Sequence, residues 1–266
     1  VTTFTLAFSP CPNDTFMFHA LLHDLIPRGP LTFTPFVDDV ESLNQEAFKG
    51  RFQITKLSFF AYLHLRDRYA LLDAGAALGY GCGPLVVAGS EDVHLSRARI
   101  AVPGAYTTAH LLLRLWHPGA LNIEIARFDE ILPGIESGKY DAGVIIHEGR
   151  FIYADYGCSE IADLGAWWER ETGLPIPLGC IALRRDPGTV AMKEDMERLI
   201  RNSIRHGFDN PETARGFIKS YAQELDDEVI DSHIRLYVNR FSLSLGAEGG
   251  RAVAALEEMA RCRGIL

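Results

Sequence analysis

The sequence predicts an α/β fold in two lobes, and three observations carry that prediction. Short apolar runs with strand character alternate with helical runs through residues 1–95, and the alternation restarts after residue 96. Several strands hand over to a helix through a polar junction, at 9–15, 55–59 and 104–109. Beyond about residue 185 the pattern turns wholly helical. The expected organisation is a larger lobe from 1–95 with 185–266 and a smaller one from 96–184, with a ligand cleft between them.

In chain order, the N-terminal stretch Val1–Pro10 reads as the approach to a first strand at Phe4–Phe8. Pro10-Cys11-Pro12-Asn13-Asp14 stiffens the loop after it, and a helix resumes from Thr15 to Leu22, with Asn13 or Asp14 suited to cap it. The same two side chains are candidates for lining a ligand. Leu31–Val37 is a second strand, and Val40–Phe48 an amphipathic helix stopped at Gly50. A strand over Phe52–Ser58 then runs into a helix over Phe59–Leu65. Lys56 and Ser58 lie at that junction, where a cation adds to the field of a helix N-terminus and favours an anion, unless the lysine is simply exposed.

Gly79-Tyr80-Gly81-Cys82-Gly83-Pro84 is followed by the strand Leu85–Ala88. A dinucleotide fingerprint requires a helix there, so these glycines read as a crossing loop leading toward a hinge, with no phosphate assigned to them. Arg99–Val102 is the next strand, leading through Thr107 and Thr108 into a helix over Ala109–Leu115. Two hydroxyls beside free N–H groups suit a carboxylate, and equally suit plain N-capping. Asn122–Phe128 is a strand, 129–138 a short helix, and Asp141–Glu148 a buried strand that leaves His147 at its C-terminal end. Ligands gather beyond such strand ends, so His147 is either a proton acceptor in a cleft or a histidine that satisfies a local carbonyl. Strands at 160–164 and 180–184 flank Trp167-Trp168, read as a loop segment that walls an apolar site or packs at the surface.

Composition narrows the function. With 266 residues, 47% hydrophobic and 23% charged, the chain has ample core material. Its formal net charge of -9, without a Lys/Arg cluster, gives no field for a phosphate backbone, so nucleic acid is not an expected partner. No apolar run reaches the ~18 residues that cross a bilayer, and the first residues lack a basic, apolar leader pattern; membrane insertion is not expected, and a cytoplasmic location is. Five scattered cysteines, Cys11, Cys82, Cys158, Cys180 and Cys262, read as reduced thiols, with Cys11 a weak candidate nucleophile. His147-Glu148 starts like H-E-x-x-H, but Phe151 occupies the second ligand position, and neither G-x-S-x-G nor a P-loop is present.

Ser9-Pro-Cys-Pro-Asn-Asp-Thr-Phe16, Thr55-Lys-Leu-Ser58, Val102-Pro-Gly with Thr107-Thr108, Ile145-Ile-His-Glu148 and Asp163-Leu-Gly-Ala-Trp-Trp168 together resemble the 1,4-dihydroxy-6-naphthoate synthase family of the futalosine route to menaquinone. The resemblance covers nearly the whole chain in the same order. It implies a type II periplasmic-binding-protein-like fold with the active site in the interlobe cleft. It implies a carbon–carbon lyase acting on cyclic dehypoxanthine futalosine without metal or organic cofactor. By that resemblance His147 is the general base, and Lys56, Leu57, Ser58, Thr107 and Thr108 contact substrate, with Asn13 and Asp14 beside them. The alternative is a receptor or sensor of the same fold that binds a small anion and does no chemistry.

Overall fold

The computed structural model describes residues 2–222 and 226–266; Val1 lies outside the described residues. Eleven strands are assigned among them: β1 (Thr2–Phe8), β2 (Leu31–Val37), β3 (Ile54–Ser58), β4 (Tyr69–Leu71), β5 (Ala77–Gly79), β6 (Leu85–Ala88), β7 (Ile100–Val102), β8 (Ile123–Ile125), β9 (Ala142–Ile145), β10 (Ser159–Asp163) and β11 (Ile176–Arg184). They form two mixed sheets. One has the order β2-β1-β3-β11-β4 with β5 also on β11, and the other has the order β10-β6-β9-β7-β8.

Within the first sheet β1 runs parallel to β2 and β3, and within the second β7 runs parallel to β8 and β9. The C-terminal ends of β1, β3, β7 and β9 therefore deliver the segments 9–13, 58–59, 103–108 and 146–148 toward the region between the sheets. This is the general reason a ligand site forms in such folds.

The lobe boundaries differ from the expected ones. β6 pairs with β9 and β10, so Leu85–Ala88 belongs to the second sheet; β11 pairs with β3, β4 and β5, so 176–184 belongs to the first. The chain crosses out through 80–84 and back through 164–175. Both misplaced strands are antiparallel insertions, and pairing of that kind is set by partners far away in sequence. The glycine-rich segment is the crossing loop its composition predicts. A Cβ on Gly83 would overlap the Gly165 backbone, so the outgoing and returning crossings touch through bare backbone.

One buried cluster runs across both sheets, joining Leu57 and Phe59 to Val86, Ile100 and Val144, with Trp168 and Leu256 packed into it. The tryptophans are not in a loop. They lie on the helix Leu164–Thr172, where Asp163 caps by accepting from the N–H groups of Gly165 and Ala166. Trp168 is fully buried and donates its indole N–H to the Pro175 carbonyl, 3.1 Å away, so it is core and not a site wall. The helix Pro12–Leu22 is buried along almost its whole length. It packs against the tail helices Lys193–Asp209, Pro211–Lys219 and Asp227–Tyr237, which explains why a wholly helical tail belongs to the first lobe. Among the described residues no helix is long and apolar enough to cross a membrane.

Candidate active site

The helix after β1 starts at Pro12, three residues before the Thr15 its periodicity implied. Pro12 takes the first helical position, where a missing N–H costs nothing, and Cys11 becomes the N-cap. Asn13 and Asp14 are consequently inside the first turn rather than capping it. The Asp14 carboxylate accepts from the Ser9 N–H at 3.1 Å, the Ser9 hydroxyl at 2.7 Å and the Asn13 amide at 2.8 Å. The Lys56 Nζ completes the set at 2.5 Å. Both partners of this ion pair are buried, Asp14 completely. Such a pair persists only where every lone pair is satisfied, and here four donors meet one carboxylate.

Lys56 reaches Asp14 by running across Gly179 on the neighbouring strand β11. A Cβ on Gly179 would stand 2.9 Å from the Lys56 Cε, so the glycine keeps that path open. Alternation along β3 sends Lys56 and Ser58 to one face and Leu57 to the other. The Leu57 side chain is fully buried in the shared core and turned away from the cavity wall. Asp14 likewise stands behind Lys56 and Asn13 and is not on the cavity wall.

The wall itself encloses about 550 Å³ of space, open solvent at its mouth included, and draws on both lobes: Asn13, Lys56 and Ser58 from the first, Thr107, Thr108 and His147 from the second. Ile146, Leu178 and Tyr237 supply apolar surface. Ser58 accepts from the Asn44 amide at 3.2 Å, and its hydroxyl proton stays available to the cavity. The threonine hydroxyls are committed. Thr107 donates to the Gly104 carbonyl at 3.0 Å and caps the helix Thr108–Trp116 at His110. Thr108 donates to the Leu178 carbonyl at 2.7 Å, across the lobes. What this junction offers an anion is the first-turn backbone N–H groups, which no helix can satisfy internally.

His147 is not the last residue of a strand. β9 ends at Ile145, and His147 sits two residues on with φ 57°, one of two non-glycine residues at positive φ among those described. Holding a histidine in the left-handed region costs on the order of 1–3 kcal/mol, and such strain persists where surrounding structure fixes it. Its ring lies between Phe128, edge-on at 5.3 Å between centroids, and His233, nearly parallel at 6.1 Å. Burial pulls its pKa down to about 4, with Lys56 pushing the same way and the Asp14 carboxylate opposing. At neutral pH it is an uncharged imidazole. Cys11 and Cys82 are buried thiols raised by burial, Cys82 to about 12, which removes Cys11 as a nucleophile.

His233 and Tyr237, both on the helix Asp227–Tyr237, were not singled out in the sequence. His233 is fully buried, as is its Nδ1, which has no hydrogen-bond partner among the described residues. An unsatisfied buried acceptor costs about 1–3 kcal/mol, so a histidine here needs a reason that an apolar residue would not.

These histidines give the fold an acid sensitivity. His147 and His19 are both lowered to about 4 by burial, His19 also by His23 and His206, and His233 is lowered as well. In the unfolded chain each titrates near ~6.5, so as pH falls the unfolded state takes up protons first. Stability is intact above that value and is lost as pH falls from about 6.5 toward 4. Thermal unfolding followed by circular dichroism is expected to show a lower midpoint at pH 4.5 than at pH 7.5; equal midpoints would contradict the buried neutral histidines.

Two sheets with crossing connections and a recess between them, lined from both sides, define a protein of the periplasmic-binding-protein-like class. Solved structures agree. A protein of Archaeoglobus fulgidus, AF1704, superposes with a TM-score of 0.94 at 38% identity, over 99% of this chain and 98% of that one. The alkanesulfonate-binding protein SsuA from Xanthomonas axonopodis pv. citri, bound to MOPS, superposes with a TM-score of 0.73 at 13% identity over 100% and 94%, a likeness of fold alone. A family model described as menaquinone biosynthesis matches residues 4–262, and the chain belongs to that family. Its relatives include enzymes named 1,4-dihydroxy-6-naphthoate synthase. The one from Thermus thermophilus is 49% identical over 98% of this chain and 94% of that protein; the one from Streptomyces coelicolor is 42% identical over 99% and 95%.

Proposed function

We propose that this chain converts cyclic dehypoxanthine futalosine to 1,4-dihydroxy-6-naphthoate by carbon–carbon cleavage, with His147 as the general base. The observation that carries the reading is the geometry of His147. A neutral imidazole is held in a strained backbone conformation on the wall of a recess that also presents Lys56 and Ser58. His147 takes a proton from the bound substrate, electron flow expels the sugar-derived carbons, and formation of the aromatic ring drives the step.

A positioned base contributes on the order of 10² to 10⁴ in rate. The remainder comes from orientation, from the unused Lys56 N–H donors facing developing oxyanions, and from exclusion of water between the lobes. A half-buried, desolvated base near pKa 4 is ready to accept a proton at neutral pH but holds it weakly. An anionic substrate beside it corrects this, because a negative charge favours imidazolium.

The free enzyme therefore sets a checkable acid limb. The kcat/KM profile is expected to be flat down to about pH 5.5 and to fall with a midpoint near 4, with folding verified at each pH. A midpoint above 6 would contradict a desolvated His147. The activity itself is tested by incubating the protein with cyclic dehypoxanthine futalosine and following the naphthoate by mass spectrometry. Unchanged ligand would overturn the proposal and leave a binding protein, a role the shared fold permits.

A further inference from the structure

We infer that His233 is a positioning residue for this reaction: from the helix behind the recess it fixes the Asn13 carboxamide and backs the ring of His147. The inference builds on the functional reading above and names a residue that does not touch the cavity.

The hydrogen-bond network assigns its state. Asn13 donates its amide to Asp14 at 2.8 Å, so its carbonyl oxygen is the atom facing His233, with Nε2 3.0 Å away. A carbonyl accepts only, so His233 carries its hydrogen on Nε2 and leaves Nδ1 bare. Burial and the neighbouring His147 and Lys56 keep the ring neutral. The result is one buried line: Lys56 to Asp14, Asp14 to Asn13, Asn13 to His233. Asn13 is the member between the wall and this line, and it uses one of its two amide hydrogens on Asp14. The second remains for a ligand, in a direction set by the clamp of Asp14 on one end of the carboxamide and His233 on the other.

The same ring lies 21° from the plane of His147, and Phe128 meets His147 at a steep 78°. His147 is thus in ring contact with both Phe128 and the neutral imidazole of His233. A leucine or phenylalanine at 233 fills the space but cannot donate to Asn13; a glutamine can, through its amide.

The test is a double-substitution cycle on turnover of cyclic dehypoxanthine futalosine, with variants His233→Phe, Asn13→Ala, the pair together, and His233→Gln as the conservative rescue. His233→Phe is expected to lower kcat about ten- to a hundredfold, and His233→Gln to recover to within about threefold of the native value. The pair is expected to fall no further than the worse single variant, because both break one clamp. Independent, multiplying losses would overturn the inference, as would a His233→Gln variant as impaired as His233→Phe while both unfold at the native temperature. His147→Asn in the same assay separates the two ideas. Full turnover there removes the general-base reading and leaves the Asn13–His233 coupling standing; additive losses in the cycle do the reverse.

Discussion

Replacing His147 by asparagine is expected to lower kcat by at least about a hundredfold while the protein still folds and still binds its product. Asparagine is the informative choice because of the backbone. Residue 147 has φ 57°, a region that asparagine tolerates better than other uncharged replacements, so the variant removes the basic nitrogen without adding strain. The ring contacts to Phe128 and His233 are lost too, and the product-binding measurement shows whether the recess survives that loss. A variant that turns over normally would remove His147 from the chemistry. One that neither folds nor binds would make it a structural histidine.

The second large effect concerns the buried pair beneath the wall. Asp14→Ala strands the Lys56 ammonium, 5% exposed, with the carboxylate it pairs with gone. Breaking such a pair costs about 3–5 kcal/mol, and for a chain of this size that lowers the thermal midpoint by roughly 6 to 20 °C. Asp14→Leu combined with Lys56→Met is expected to recover part of the stability and none of the activity, because an apolar pair avoids the stranded charge but presents no cation. If Asp14→Ala unfolds at the native temperature, the pair is not the support described here.

Much of this arrangement was legible in the sequence, for local reasons. The three strand-to-helix junctions stood out because periodicity changes from two to 3.6 within a few residues, and with the strand end at His147 they deliver Asn13, Lys56, Ser58, Thr107, Thr108 and His147 to one recess. What lay beyond reading was long-range. β4 and β5 are three residues each, too short to show alternation, and the sheet membership of β6 and β11 depends on distant partners, such as Ile54 for Leu183. His233 lies on the Ile230–Tyr237 face that helical spacing marks as buried, but its partner Asn13 is at the other end of the chain and only the fold brings the two together. Two misreadings did have a local signal. Pro12 marked the earlier helix start that moved Asn13 and Asp14 into the first turn, and Asp163 with Gly173 bracketed the tryptophan helix. Strand alternation turns the Leu57 side chain into the core while Lys56 and Ser58 face the recess, a difference that a motif read as one block does not show.

Steady-state rates mix chemistry with lobe opening and product release, so the central claim is tested most directly by a single turnover with enzyme in excess over cyclic dehypoxanthine futalosine. Native protein and His147→Asn would be compared at concentrations where both hold the substrate fully bound. The account predicts the same bound fraction and a naphthoate-forming step slower by at least about a hundredfold in the variant. Equal single-turnover rates would contradict it and assign the proton to another group on the wall.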